Sequence, residues 1–437
     1  MSTPSDPACR PEPNRAARSK AVAAIFAGAG LSTTGYLMAY TVNTLIAEGL
    51  HARPSLVGVP GAATVLGTAI GSSFLMRGRG PGASRLAMLV GYAVAAVGAI
   101  LAALAVSAHQ YWLFVACTLL FGVGYGANRI ARYSAAALYP PAQRGAVIGW
   151  IVWAATIGAV IGPSLLDSAR RVAESVHLDG LVGPYLGGAF MMAISALVMV
   201  VMPVVAPDEH APAAGTGVPA GPASIGALLA TGDAWFGLTA MLGGQVAMVA
   251  VMTMTPLHMA HHGAALPAIG IVISTHTLGM YALAPLTGRL ADRYGSRAVI
   301  GLGTVLLVGA CLVAATLQAH PAAVLVALGL IGVGWNFDYV AGSACLTRAM
   351  ASAAQTRLQG IADALVWTTS ATAGLMAGVL LDRLGFTGLS LAGAVIATAP
   401  WWVPRPKRFA PSGLDAAVHQ PAAVDVDRLS GDVAAGR

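Results

Sequence analysis

The chain has 437 residues, of which 57% are hydrophobic and only 9% charged, whereas a soluble domain carries about 25% charged residues. That balance excludes an ordinary soluble globular protein and points to a chain held mainly in a bilayer. The net charge of +7 does not indicate a nucleic-acid partner, because the basic residues are spread over alternate loops and form no aromatic-studded patch.

The first twenty residues are polar and contain proline. They read as a cytoplasmic tail without a cleavable signal, since the apolar run behind them is long enough to span. Runs near the roughly 20 apolar residues that a spanning helix needs recur at 21–46, 56–76, 86–107, 111–137, 146–166, 184–206, 234–257, 267–288, 298–318, 322–346, 358–381 and 386–403. They predict an all-α membrane protein of twelve transmembrane helices, with a bundle at 21–206 and a second at 234–403. Residues 207–233, with the low-complexity core APAAGTGVPAGPAS, predict a flexible cytoplasmic linker. The polar, Ala-rich segment 404–437 is expected to be a disordered cytoplasmic tail.

Orientation follows from Lys and Arg, which accumulate in cytoplasmic loops. With the N-terminus inside, only Arg53, Arg170, Arg171 and Arg383 of the 24 basic residues fall outside. A missed or invented helix would invert the sorting beyond it. Both termini are therefore expected to be cytoplasmic, in a multi-pass protein of the inner (plasma) membrane.

In the first span, Tyr36, Tyr40 and Asn43 are polar groups suited to a cavity wall. In the fourth, F-G-V-G-Y-G-A-N (Phe121 to Asn128) matches I-G-V-G-W-N-F-D (Ile331 to Asp338) in the tenth. In the fifth, I-V-W-A-A-T (from Ile151) matches L-V-W-T-T-S (from Leu365), which pairs Trp153 with Trp367. Order and spacing are kept, so the halves read as a duplication. Two parallel repeats with a substrate site between them favour alternating access over a pore.

Ionisable groups inside a membrane are costly and functional by default. Asp338, beside Trp335, leads the candidates; its repeat partner is Asn128, followed by Arg129 and Arg132. Its alternative role is a structural ion pair. His276 in the eighth span is a second titratable candidate, with a hydrogen-bonded structural histidine as the alternative, and Gln245 is the polar residue of the seventh. Asp363 fits a helix N-terminal cap. The run Met252 to His262 carries thioether and imidazole groups that suit a transition metal, but His-x-x-His-His is weak spacing and no metal site is assigned. The cysteines, at positions 9, 117, 311 and 345, form no zinc or disulfide framework. No P-loop, cofactor motif or catalytic constellation is discernible, which leaves a secondary, non-enzymatic mechanism.

The loop after the eighth span reads G-R-L-A-D-R-Y-G-S-R (Gly288 to Arg297). It resembles the cytoplasmic signature loop of the major facilitator superfamily, G-x-L-A-D-R-x-G-R-R, departing at Ser296. Gly288 and Gly295 would allow close helix approach and a tight turn, while Asp292, Arg293 and Arg297 supply charge. The resemblance implies that Asp292 latches onto the other half when the cytoplasmic side is closed. By symmetry its partner would be the start of the fifth span near Arg144. The first-half loop has Leu75 where the acid belongs.

The fifth span also carries G-A-V-I-G-P (Gly158, Gly162, Pro163), which is similar to a motif of the superfamily's drug-proton antiporters, with Leu166 and Asp167 in place of its final glycines. The arginine that those antiporters carry early in the fourth span is replaced by Thr118. The resemblance implies a monomeric, proton-coupled exporter of small organic molecules. Uptake of a nutrient, metal or chelate is the alternative, and a transport-inactive sensor of the same fold is a second.

Overall fold

The computed structural model describes residues 15–75, 82–205, 232–348 and 352–402. The linker core, the Gly78 to Gly80 end of the first-half loop and the C-terminal tail lie outside them, and so do the side chains of Arg348, Arg357 and Asp363. Among the described residues regular structure is helical throughout, as a lipid environment demands of segments that must satisfy their own backbone groups.

The first half comprises α1 (Arg15–Thr41), α2 (Asn43–Gly49), α3 (Val59–Leu75), α4 (Ala83–Ser107), α5 (Tyr111–Tyr125), α6 (Ala127–Ala136), α7 (Pro141–Ser164), α8 (Leu166–Ser175) and α9 (Gly183–Val201). The second comprises α10 (Gly232–His261), α11 (Leu266–Ala282), α12 (Ala284–Tyr294), α13 (Ser296–Thr316), α14 (Pro321–Arg348), α15 (Ser352–Ala397) and α16 (Ala399–Trp402).

Ten described helical segments are long and apolar enough to cross a membrane, and eleven if the bent pair α11–α12 is one span. That pair bends by 42° at Leu283, where Pro285 in the first turn of α12 cannot donate a backbone hydrogen bond. Helix α15 has 46 residues, about 69 Å at 1.5 Å per residue, far more than a hydrocarbon core of about 30 Å. Its backbone leaves helical geometry at Gly385 (φ 66°, ψ −177°), a corner that glycine accommodates. Counting its two arms as separate passes brings eleven to the twelve expected.

The packing repeats between halves. Helix α1 packs on α7 and α9, α3 on α5, and α4 on α5 and α9; α10 packs on α15, α11 on α14, and α13 on α14 and α15. The repeated glycines explain why. A Cβ at Gly122 would lie 2.1 Å from the Thr64 carbonyl oxygen, and one at its counterpart Gly332 would lie 2.2 Å from that of His276. Gly124 similarly abuts Ala95 of α4, and Gly334 abuts Leu307 of α13. Small residues let helix backbones touch, the main source of helix association in lipid, where apolar burial offers little.

The lipid-facing surface is apolar. Leu86, Val90, Val97, Leu101 and Leu104 lie exposed along α4, as do Leu302, Val305 and Leu312 along α13. On α8, Arg170 pairs with Asp167 and Glu174 (2.9 and 2.7 Å) and Arg171 with Asp167 (3.1 Å), so two of the arginines expected outside are locally offset by two acids.

Candidate functional site: a cavity between the halves

A cavity of about 360 Å³ lies between the two halves. At one end the halves meet backbone to backbone. A Cβ at Gly58 would lie 2.1 Å from the Gly374 carbonyl oxygen, and one at Gly270 2.2 Å from that of Pro163. The Ser274 hydroxyl donates to the Val160 carbonyl (2.7 Å), and His261 Nε2 lies 2.5 Å from Glu48 Oε1. This seal sits at the end that the arginine distribution assigns to the outside. From it the cavity descends along α7, α14 and α15 to Arg129, Arg132, Ile151 and Val366.

Fit in the fifth span depends on its glycines. A Cβ at Gly158 would lie 2.1 Å from the Gly30 carbonyl oxygen, and one at Gly162 2.5 Å from that of Thr34. The motif thus seats α7 against α1, while Pro163 turns its carbonyl toward α11.

Aromatic rings line the cavity from both halves. Tyr36 stacks on Tyr125 (3.9 Å between centroids, 14°) and lies 5.6 Å from Tyr40. Across the cavity Trp335 stacks on Tyr339 (4.8 Å, 23°) and meets Tyr281 edge-on at 6.1 Å. The pairs Trp335/Tyr339 and Thr277/Tyr281 each lie four residues apart, so each pair shares one helix face.

Amides fix these rings. Asn128 donates through Nδ2 to Thr33 Oγ1 (3.0 Å) and Tyr125 Oη (3.3 Å); its Oδ1 accepts from Ser32 Oγ and Tyr92 Oη, each at 3.3 Å. Gln245 Oε1 accepts from Trp335 Nε1 (2.7 Å), and Gln245 Nε2 donates to Ser370 Oγ. Asn43 accepts from the Tyr185 hydroxyl behind the lining.

Arg129 and Arg132 of α6 supply the charge. The Arg129 guanidinium lies 4.7 Å from the ring centroid of Trp367 in the opposite half, a cation–π contact. No Asp or Glu occurs among the described lining residues.

Asp338 and His276 lie elsewhere. Asp338 is fully buried behind Trp335 and Tyr339, against Gly244 of α10 and Gly303 of α13, and neither carboxyl oxygen has a hydrogen-bond partner among the described residues. His276 is also fully buried; its Nδ1 bonds the Leu328 carbonyl (2.8 Å), and its Nε2 has no hydrogen-bond partner among the described residues.

In the signature loop, Gly295 takes a positive φ of 85°, which forms the tight turn into α13. Gly288 departs from expectation: a Cβ there would meet open space, so it seats no neighbouring helix in this conformation. Arg297 pairs with Asp233 (2.6 Å), Arg293 stacks over Tyr294, and Asp292 is exposed. In the run from Met252, His258 stacks on Phe386, and no group of three His, Cys, Asp or Glu residues assembles for a metal among the described residues.

Sequence reasoning passed over Tyr125, Tyr281, Thr156 and Ser370 as wall residues. The usable signal was hydroxyl and aromatic groups at helical spacing, as in Thr277 and Tyr281.

A bundle of apolar helices closing around an amphipathic cavity between two repeats defines a multi-pass membrane transporter. The chain belongs to the Major Facilitator Superfamily, whose family model matches residues 22–266 and 252–422. It is 31% identical to the uncharacterized MFS-type transporter YdeG of Bacillus subtilis, over 86% of this chain and 87% of that one. It is 27% identical to the riboflavin transporter RfnT of Brucella anthropi, over 79% and 85% respectively. Among solved structures, a bacterial homologue of the human lysosomal transporter Spinster, inward-facing and occupied, superposes with a TM-score of 0.70 at 13% identity, covering 92% of this chain and 100% of that one.

Proposed function

We propose that the protein is a secondary active transporter of small organic molecules, working by alternating access, coupled to protons and located in the plasma membrane with both termini cytoplasmic. The observation that carries this reading is the cavity between the repeats, sealed at the outer end and reaching toward the inner one. The structure corresponds on this reading to an inward-facing state. Export is the favoured direction, supported by the way Gly158 and Gly162 of the antiporter-like motif seat α7 against α1. Uptake is the second reading, favoured by the similarity to a protein named as a riboflavin transporter.

Asp338 is the proposed proton site. A carboxylate there would be buried without a hydrogen-bonding partner, so loss and gain of a proton would change how α14 sits between α10 and α13. It would act through the packing of the wall, not by touching substrate.

Alternating access is tested by a single cysteine at cavity position Thr156, in a background cleared of native cysteines. Labelling from the inner side at rest, and from the outer side during turnover, is expected. Reactivity confined to one side under every condition would contradict it.

A further inference from the structure

Most of the outer seal is indifferent to pH. Gly58 against Gly374, Gly270 against Pro163, and the hydrogen bond from Ser274 to Val160 join the halves through neutral groups. His261 and Glu48 are different. Their 2.5 Å contact joins α2 of the first half to the last residue of α10 in the second, and it is an ion pair when His261 carries a proton. Imidazole is the side chain whose charge ordinarily changes between about pH 5 and pH 8. Neutral, it can donate a single hydrogen bond to the carboxylate; protonated, it forms a charge-assisted pair of roughly twice the strength. A cation at the end of a helix is further favoured by the helix dipole.

The side chains are 54% exposed for His261 and 46% for Glu48, so the outer solution reaches the pair. Glu48 sits on a seven-residue helix set off from α1 at Val42 (φ −93°, ψ 1°) and followed by His51, whose φ is 58°. These two breaks are points about which α2 can part from α10 while α1 stays helical. The described residues cover this end without a gap, at 42–58, 257–267, 316–321 and 381–387. His258 precedes the pair on α10 and His262 follows it, their ring centroids 4.2 Å apart. His258 is turned to the Gln318 carbonyl, and His262 to that of His258. The elements packed on α2 and α10 add His51, Arg53, His320, Asp382 and Arg383. Among the described residues, none of these makes an ion pair with Glu48 or His261.

Resting on the alternating-access reading, we propose that His261 and Glu48 form a proton-operated latch on the outer face: acid outside protonates His261, holds the halves together there and delays opening to the outside. Closing the seal and binding this proton favour each other. The gain is therefore present at low outer pH and fades as the imidazole loses its proton. The latch is separate from Asp338, which is buried between α10, α13 and α14.

The test is the distance between spin labels at Ala108→Cys and Ala319→Cys, exposed positions in outer turns of opposite halves. The full chain, cleared of native cysteines, is held in lipid nanodiscs, and pulsed dipolar spectroscopy gives the ratio of outward-open to sealed molecules. That ratio should fall about two- to fivefold from about pH 8 to about pH 5.5, the size expected of a half-exposed pair, and should fall less in high salt. His261→Gln and Glu48→Gln should each make it independent of pH, and His261→Lys should hold the low-pH ratio at both values. Exchanging the residues, Glu48→His with His261→Glu, should restore the dependence. A melting curve of each variant separates a lost latch from lost folding. A ratio that ignores pH in the parent chain, or a dependence that persists in a folded His261→Gln, would overturn the latch and leave the transporter reading standing. A single distance under every condition, with Gly58→Val included, would defeat alternating access and the latch together.

Discussion

Asn128 and Asp338 occupy equivalent positions in the two repeats, yet Asn128 faces the cavity with all its hydrogen-bonding capacity engaged by Ser32, Thr33, Tyr92 and Tyr125, while Asp338 is buried behind the wall with none. The first half uses the position to rigidify an aromatic wall. In the second, Gly244 and Gly303 leave room for a carboxyl group.

Gly303→Ala tests that arrangement. Its new Cβ would lie 2.4 Å from Asp338 Oδ1 and 2.9 Å from Phe337 Cβ, so the expected loss is about 1–3 kcal/mol, the usual cost of overpacking. Adding Asp338→Ala should return only part of it, because Phe337 still conflicts. Thermal melts of both variants in detergent decide this, and an unchanged midpoint for the single variant contradicts it.

Gly58→Val attacks the outer seal, where the Gly374 carbonyl oxygen leaves no space for a side chain. The variant is expected to shift the resting population toward an outward-open form. A cysteine placed at Thr44, near the outer end of the lining, should then label faster from outside; an equal rate means that the seal does not depend on this contact.

Asp292→Asn should act in the opposite sense. If the signature-loop carboxylate holds the inner side closed in the outward-facing state, its loss raises the inward-open fraction. Faster labelling of an inner-side cysteine would show it, and unchanged labelling would remove the latch.

Gln245→Leu leaves the Trp335 indole N–H and the Ser370 hydroxyl without the partner that joins them. Orphaned buried polar groups cost about 1–3 kcal/mol each, so the melting midpoint should fall and tryptophan emission should change. A stable variant with unaltered emission would show that the amide does not orient the indole.

Architecture was legible because the bilayer imposes it: apolar length gave the spans, and the arginines gave a consistent sorting. The matching glycine runs carried real information, since Gly122 and Gly332 both abut a neighbouring carbonyl. Facing was not legible. Lipid and protein interior are both apolar, so nothing in W-N-F-D-Y says that Trp335 and Tyr339 face the cavity while Asp338 lies on another side of the same helix. The same ambiguity hid Tyr125 and Tyr281, and it made Gly288 look like a packing residue. Repeat position did not predict role either: Trp367 meets Arg129 at the cavity, whereas its partner Trp153 lies on the exposed surface.

The most direct measurement compares two modes of flux in vesicles holding either wild type or Asp338→Asn, with a ligand identified by thermal stabilisation of the purified protein. One mode is driven by an imposed pH gradient; the other is exchange at equal pH on both sides. The wild type should show both. Asp338→Asn should lose gradient-driven flux while keeping exchange and ligand affinity, because the carboxyl lies behind the cavity wall and not in it. Gradient-driven flux that survives in Asp338→Asn would contradict proton coupling through this residue, and loss of ligand affinity would contradict its placement outside the binding surface.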